Sequence, residues 1–229
     1  MQYIIDHPDI VRDLLLRHLQ ITAIALGIAL AIALPLGLLV NRYRWLAVPV
    51  VGTLGILYTI PSLALIILLI PAFGLGSKSV IIALIIYAQI ILVRNILVGL
   101  QSVSPAMLEA ARGMGMNAWQ IWWRVQFPLA LPIMLAGLRI AAVVVIGIAA
   151  IGAKFGAGGL GKLLFDGISG ERYDKIWAGA ITVSALAFAI NGLLLLLERS
   201  CDPARRGMRR TRRQRAARDV RESLTPIPG

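Results

Sequence analysis

The chain has 229 residues, of which 59% are hydrophobic and 15% are charged, and its formal net charge is +12. Because soluble domains carry about 25% charged residues, this composition excludes an ordinary soluble domain and favours a membrane protein. A single cysteine, Cys201, excludes an internal disulfide, and the only two histidines are too few for a Cys/His metal site.

The first segment, residues 1–18, precedes the first apolar run. Its beginning is acidic and no small-residue cleavage site follows, so we do not expect a signal peptide here. Over residues 9–18 the apolar and charged side chains fall on different sides of a helix, which predicts a short amphipathic helix on the outer membrane face.

The centre of the chain, residues 19–200, contains apolar runs of about 20 residues, the length that crosses a bilayer as a helix. Each run must be helical, since open strand edges leave backbone groups unpaired in lipid. The sequence therefore predicts an all-α polytopic membrane protein with five transmembrane helices. The predicted spans are 19–40, 46–71, 79–99, 129–152 and 176–197.

The second predicted span contains polar residues and a proline within about one helical turn, namely Tyr58, Thr59, Pro61 and Ser62. Pro61 removes one backbone hydrogen bond and frees carbonyl groups, which membrane helices tolerate where neighbours or water satisfy them. We expect these residues to line a pathway or gate. The alternatives are plain packing and hydrogen bonds within or between helices.

A polar island follows the third span, in the loop 103–128. Ser104 and Pro105 suit the first positions of a helix, and Gly113 and Gly115 weaken its end, so one short helix is expected over 105–112. A second is expected from Asn117 to about Pro128, with three tryptophans at a membrane surface.

The spacing of this island resembles the EAA loop, the cytoplasmic loop of the permease subunits of ABC importers. The matching positions are Glu109, Ala110, Ala111, Gly115, Val125, Phe127 and Pro128, with Val125 and Phe127 in place of the usual Ile and Leu. The resemblance implies a type I ABC importer permease fold, similar to that of methionine importers. It also implies that a coupling helix, residues 104–116, docks on an ATPase subunit.

Two arginines lie at or inside span boundaries, Arg94 and Arg139. A charged side chain there can snorkel to the membrane interface. The sharper hypothesis is that one of them pairs with Glu109 or a loop carbonyl and so orients the coupling helix.

Outside the spans, Lys and Arg are distributed unequally. Fourteen lie in the segments that share a side with the polar island and seven on the opposite side, although ten of the fourteen belong to the C-terminal tail. The positive-inside rule then predicts an extracytoplasmic N-terminus and a cytoplasmic C-terminus. The resemblance implies that the membrane is a prokaryotic cell (inner) membrane. The tail, residues 201–229, is expected to be a basic disordered segment near the inner leaflet, with no nucleic-acid partner.

Several stretches resemble the permeases of osmoprotectant importers, which carry glycine betaine, choline or carnitine. They are Ile56–Leu65, Arg94-Asn95, Gly113–Met116 and Gly156–Gly161. Tyr58 stands where Gln is expected, and Lys154-Phe155 interrupts the usual run before the glycines. The resemblance implies a second permease copy or paralogue, a cytoplasmic ATPase dimer and an extracytoplasmic solute-binding protein, for which the charged part of segment 153–175 is a candidate docking surface.

Catalysis by this chain is not expected. No phosphate-binding Gly-x-x-x-x-Gly-Lys-Ser/Thr loop is present, and no acidic residue falls in the middle of a span. No metal or cofactor is therefore expected on this chain. The resemblance implies a transport subunit, with ATP and Mg on the partner ATPase. The alternatives are a permease for methionine or another amino acid, and a membrane scaffold or channel outside the ABC class.

Overall fold

A computed structural model describes residues 2–201, which form helices and connecting turns without any strand. This confirms the all-α prediction. The predicted tail beyond Cys201 lies outside the described residues. The helices are α1 (Gln2–Asp6), α2 (Pro8–Arg42), α3 (Ala47–Thr59), α4 (Ser62–Phe73), α5 (Ser77–Gln101), α6 (Pro105–Gly113), α7 (Ala118–Ile121), α8 (Phe127–Gly152), α9 (Gly161–Ser169) and α10 (Tyr173–Cys201).

Four segments of the described chain are long and apolar enough to cross a membrane: α2, α5, a continuous segment Ala118–Phe155 that contains α8, and α10. The remaining predicted span, 46–71, is divided into α3 and α4, which meet at an angle of 97°. Counting this bent pair as one span gives the five predicted. The bend lies at Ile60 and Pro61, because Pro61 lacks the N–H that would continue α3.

The N-terminal expectation needs a correction. Residues 9–18 do not form a separate surface helix but are the first turns of α2. Neither glycine nor proline occurs between Asp9 and Thr22, so nothing in the sequence ends the helix there. Contacts of Arg17 and His18 with other helices also hold this part of α2 in the bundle.

Helix α5 is the centre of the bundle. The most apolar stretch of α5 is 61% buried, and α2 and α8 pack on it. Small residues that recur every four positions along α2 face α5 and allow the backbones of these two helices to approach closely. They are Ala25, Ala29, Ala33 and Gly37, and a Cβ on Gly37 would overlap Ile96 of α5.

The spans alternate in direction, so the connecting segments gather at two ends. The α9 end contains the beginning of α2, the turn before α5 and the glycine-rich residues 156–161, where the N–H of Gly76 donates to the carbonyl of Phe155 (2.8 Å). The α6 end contains α6, α7 and the last turns of α2, α5 and α10.

Candidate functional site

Helix α6 begins as the sequence predicts, but without the expected side-chain cap. Ser104 occupies the N-cap position and Pro105 the first turn, yet the Ser104 hydroxyl makes no capping hydrogen bond. Its backbone carbonyl accepts from the N–H of Met107 (3.1 Å) instead. The fixed φ of Pro105 is sufficient to start the helix.

The end of α6 is a Schellman motif centred on Gly115. The N–H of Met116 donates to the carbonyl of Ala111 (3.2 Å) and the N–H of Gly115 to that of Arg112 (2.9 Å). This pattern requires a left-handed residue after the C-cap, and Gly115 has a φ of 77°. Gly113 is still inside the helix. The motif glycine at position 115 therefore has a defined task, which is to reverse the chain after α6.

Residues 117–126 follow the turn at Gly115, and we call them the return arm; together with α6 they form a hairpin. The start of the return arm is fixed by a capping box. The side chain of Asn117 accepts from the N–H of Gln120, and the side chain of Gln120 accepts from the N–H of Asn117, each at 2.9 Å. Helix α7 therefore begins one residue after the expected Asn117.

The second short helix does not end at Pro128 as expected but continues into the span α8. A π-helical turn, Trp122–Gln126, joins the two, and the N–H of Phe127 donates to the carbonyl of Trp122 five residues earlier. One π-helical turn widens the helix just before Pro128, whose ring would otherwise clash with the carbonyl four residues back. Residues 118–155 thus form one continuous helical rod.

The seven motif positions fall on both arms of this hairpin. Glu109 and Ala110 are exposed on α6, whereas Ala111 is 1% exposed at the packed face. Val125, Phe127 and Pro128 are half-buried at the junction of the return arm with α8, against which α6 packs. The structure therefore brings the two halves of the motif to one end of the bundle, although its exposed residues are only those on α6.

The exposed side of α6 carries both charge and apolar surface. Met107 and Met114 are 45% and 74% exposed, and Glu109 lies between them in sequence. Within residues 2–201 Glu109 forms no ion pair. We call Met107, Glu109, Ala110 and Met114 the α6 surface. It combines a free carboxylate with flexible apolar side chains, as protein docking surfaces often do.

The tryptophans of the return arm form an aromatic cluster. The rings of Trp119 and Trp123 are 5.5 Å apart, edge to face, and Trp123 and Phe127 are 5.3 Å apart. Trp122 and Phe127 also pack against the main core. The cluster therefore connects the loop to the core, while Trp119 stays 69% exposed.

Within residues 2–201, neither Arg94 nor Arg139 makes the predicted contact with Glu109 or a loop carbonyl. Arg139 donates to Glu198 of α10 (3.1 Å) and to Asn191 (3.3 Å), because α10 packs on α8 at this level. Arg94 is exposed and has no ion-pair partner among the residues that the structure describes.

The break between α3 and α4 holds the other predicted residues. Tyr58, Thr59 and Pro61 are exposed, and Ser62 begins α4. The hydroxyl of Thr59 donates to the carbonyl of Ile56 (2.7 Å), and the hydroxyl of Tyr87 donates to the carbonyl of Ile60, which the break has freed. Sequence reasoning missed Tyr87. Only its isolated hydroxyl in an apolar span could have indicated it.

A second set of missed residues lies at the α9 end. The guanidinium of Arg17 donates to Ser77 (2.6 Å) and to the carbonyl of Ala157 (3.3 Å). His18 is 1% exposed and its Nε2–H donates to the carbonyl of Ile146 (3.2 Å). These adjacent residues, the Arg17–His18 clamp, hold the glycine-rich residues against α2, α5 and α8. Two polar residues directly before an apolar run were the available signal.

Comparison with known families decides the identity of this bundle. A family model described as "Binding-protein-dependent transport system inner membrane component" matches residues 23–203. The chain belongs to this family. It is thus a membrane-embedded transport subunit, and the permease fold predicted from the EAA-like loop is confirmed.

Two curated relatives are similar to this permease over most of its length. The osmoprotectant import permease protein OsmW of Salmonella typhimurium is 41% identical over 203 residues, covering 86% of this chain and 94% of OsmW. The glycine betaine/carnitine/choline transport system permease protein OpuCB of Bacillus subtilis is 36% identical over 186 residues, covering 81% of this chain and 86% of OpuCB.

Solved structures agree on the fold. The inward-facing MetNI methionine ABC transporter matches with a TM-score of 0.72 at 22% identity, covering 84% of this permease and 96% of that chain. An amino acid ABC transporter solved with histidines matches with a TM-score of 0.70 at 21% identity, covering 86% and 96%. At this identity the likeness shows the type I ABC importer permease fold alone.

Proposed function

We propose that this permease forms the translocation pathway of an ATP-driven importer for osmoprotectants of the quaternary ammonium class, such as glycine betaine, choline or carnitine. The observation that carries the proposal is the set of relatives. Proteins named for osmoprotectant, carnitine, choline or glycine betaine transport are 35% to 41% identical over most of the chain. The amino acid transporters share only the fold, at 21% to 23% identity.

The α6 surface is our proposed contact with the ATPase. It is exposed, it lies on a helix whose two ends are fixed by Pro105 and Gly115, and its carboxylate is unpaired within the described chain. A short rigid helix that presents a few apolar side chains and one charge suits a groove on a partner. Glu109 would supply charge complementarity, and Met107 and Met114 the apolar contact.

The return arm is the proposed route of coupling. Because α7, the π-helical turn and α8 form one rod, a displacement of the hairpin must move α8 or bend the π-helical turn. Closure of an ATPase dimer would draw two such hairpins together and tilt the α8 helices, which turns the pathway from inward-facing to outward-facing. ATP and Mg bind the ATPase, so this chain needs no cofactor of its own.

Topology and assembly follow from the same proposal. The α6 end would be cytoplasmic, with Arg42, Arg44, Arg112 and Arg124 on that side, and the α9 end would face the solute-binding protein. A second permease copy or paralogue would complete the pathway.

Uptake by the reconstituted complex tests this proposal. Liposomes would contain the permease with its co-purifying ATPase, the solute-binding protein outside and ATP inside, and radiolabelled glycine betaine, choline and methionine would be offered separately. We expect uptake of a quaternary ammonium solute that needs ATP. Uptake of methionine alone would keep the transporter class and overturn the substrate.

Charge reversal tests the coupling surface in the same system. Glu109→Lys should abolish uptake and weaken co-purification of the ATPase. The matched control is Asp13→Lys, an equal change at an exposed position of the α9 end. It should keep the ATPase bound. Equal retention of the ATPase by both variants would contradict a docking role for α6.

A further inference from the structure

The break between α3 and α4 lies at membrane depth. Helix α3 has 13 residues, and at a rise of about 1.5 Å each it extends roughly 20 Å before it ends at Thr59. The hydrocarbon core is about 30 Å thick, so Ile60 and Pro61 fall well inside it. Non-helical backbone is tolerated there only where it is buried in protein or lines a water-filled cavity.

The residues at this break are not buried within the chain. Tyr58 is 41% exposed, and Thr59 and Pro61 are also exposed. The side that faces the bundle is closed, because Tyr87 is only 5% exposed and its hydroxyl occupies the freed carbonyl of Ile60. The break therefore presents its open side away from α5, where a second permease copy or a water-filled pathway has to cover it.

The exposed ring of Tyr58 is held in place before any ligand arrives. It contacts Tyr87 edge to face, with ring centroids 5.5 Å apart and an interplanar angle of 64°. Tyr87 is fixed in turn by its hydrogen bond to Ile60. An edge-to-face contact uses at most one face of each ring, so Tyr58 keeps a free aromatic face.

The electrostatic environment of the break favours a cation, although no carboxylate is available in the neighbouring sequence. No Lys, Arg, Asp or Glu occurs between Arg44 and Lys78, or between Lys78 and Arg94. The last turn of α3 ends here, so the negative end of its helix dipole is near. A quaternary ammonium group has no N–H to donate and is attracted to aromatic faces. A primary ammonium group would instead lose hydrogen bonds that nothing charged replaces.

We infer that Tyr58, positioned by Tyr87 and the carbonyl of Ile60, forms a transient cation–aromatic site for the quaternary ammonium group of the solute within the translocation pathway. This inference rests on the proposed function, since it concerns a solute of that class. Tyr58 is the binding residue, and Tyr87 is a positioning residue. Absence of a carboxylate keeps the site weak, which a pathway needs because the solute has to leave it.

Substitutions at position 58 test the site in the reconstituted complex with saturating binding protein. Tyr58→Leu should lower the rate of ATP-dependent glycine betaine uptake about 3- to 30-fold, the range expected for one lost cation–aromatic contact. Tyr58→Phe keeps the ring and should stay within about 2-fold of the unchanged protein. Tyr43→Leu, which removes a tyrosine that is 49% exposed at the α6 end, is the matched control and should have no effect.

Fluorination separates a cation–aromatic contact from packing. Phenylalanine with one, two or three ring fluorines at position 58 keeps the shape and weakens the ring quadrupole in steps, so uptake should fall with each fluorine. Co-purification of the ATPase should stay unchanged throughout. A loss of uptake that is equal for Tyr58→Leu and Tyr58→Phe, or that ignores the number of fluorines, overturns the site. A loss of assembled complex in Tyr58→Leu would assign the ring to the interface between permease copies and also overturn it.

Uptake by the unchanged protein shows whether a negative result concerns the Tyr58 site or the proposed function on which it rests. If it takes up glycine betaine and the position 58 series is flat, the function stands and the site is wrong. If it takes up no quaternary ammonium solute, both are wrong.

Discussion

The glycines at the two ends of the bundle have different surroundings. At the α6 end, a Cβ added to Gly113 or Gly115 would meet no atom within 4 Å, so close packing requires neither glycine, and only Gly115 has a positive φ, of 77°. At the α9 end, a Cβ on Gly159 would lie 2.9 Å from Nδ1 of His18, and one on Gly161 would overlap the backbone of Ala150. The α9 end is held by contacts between distant segments, and the α6 end by bonds between near neighbours. Local bonds leave the outer side of α6 free for a partner.

The largest loss of stability is expected from a substitution that disrupts the packing of the α9 end. In Gly161→Ala, the new methyl group would collide with the carbonyl of Ala150, a backbone atom that cannot move without shifting α8. We expect a loss of about 3 kcal/mol or more, the upper end for overpacked sites, and poor yield. Thermal unfolding of the purified complex in detergent measures it. Gly192→Ala, with no atom within 4 Å, should show no loss, and equal stability of the two variants would mean that α9 can separate from α8.

A smaller loss of stability is expected from removal of a long-range salt bridge, which tests whether such contacts also stabilise the α6 end. Arg139 and Glu198 join α8 to α10, with side chains that are 26% and 23% exposed. Removal of one partner leaves a half-buried charge, so Arg139→Met should cost about 1–2 kcal/mol, less than for a fully buried pair.

The double variant Arg139→Met/Glu198→Leu separates loss of the pair from loss of packing. It should recover part of the stability, as measured by a double-mutant cycle. Binding of the ATPase should be unchanged, because neither residue contacts α6. Weaker ATPase binding would show that the Arg139–Glu198 salt bridge influences the α6 surface.

The features that could be predicted are those coded by neighbours in the chain. The all-α class follows from the length of the apolar runs, and the two arms of the α6 hairpin follow from Pro105, Gly115 and Asn117. The loop position was readable because its seven motif residues have fixed spacing. Local hydrogen bonds, such as that between Gly115 and Arg112, involve residues that are only a few positions apart.

The features that could not be predicted depend on partners far away in sequence. The salt bridge of Arg139 joins residues 59 positions apart, and the hydrogen bond from Tyr87 to Ile60 joins residues 27 apart. Proline at position 61 indicated a break but not its angle, because the direction of α4 depends on how it packs against α5 and α8. The continuity of the return arm with α8 was missed because a π-helical turn leaves no clear signal in one sequence.

A third prediction compares the two glycines of the α6 end, of which only Gly115 needs the conformational freedom of glycine. Gly115→Ala places a side chain at a φ of 77°, which costs about 1–2 kcal/mol, whereas Gly113→Ala lies in the helix and should gain up to about 1 kcal/mol. Hydrogen exchange of the amides that close α6 measures both changes. We expect faster exchange and weaker ATPase binding in Gly115→Ala, and the reverse in Gly113→Ala. Similar behaviour of the two variants would contradict the assignment of Gly115 to the Schellman position.

The smallest effect is expected in the return arm, whose start is held by a single capping box. Asn117→Ala removes the acceptor of the Gln120 N–H and should destabilise the start of α7 by about 0.5–1 kcal/mol. Exchange of the Gln120 amide should then be roughly 2- to 5-fold faster, since 1.4 kcal/mol corresponds to a factor of ten. Asn117→Asp keeps the acceptor and should retain the protection. If Asn117→Ala left that amide protected, the long-range packing of Trp122 against the core, rather than local bonds, would be what holds this arm, and the two ends would be built more alike than their glycines indicate.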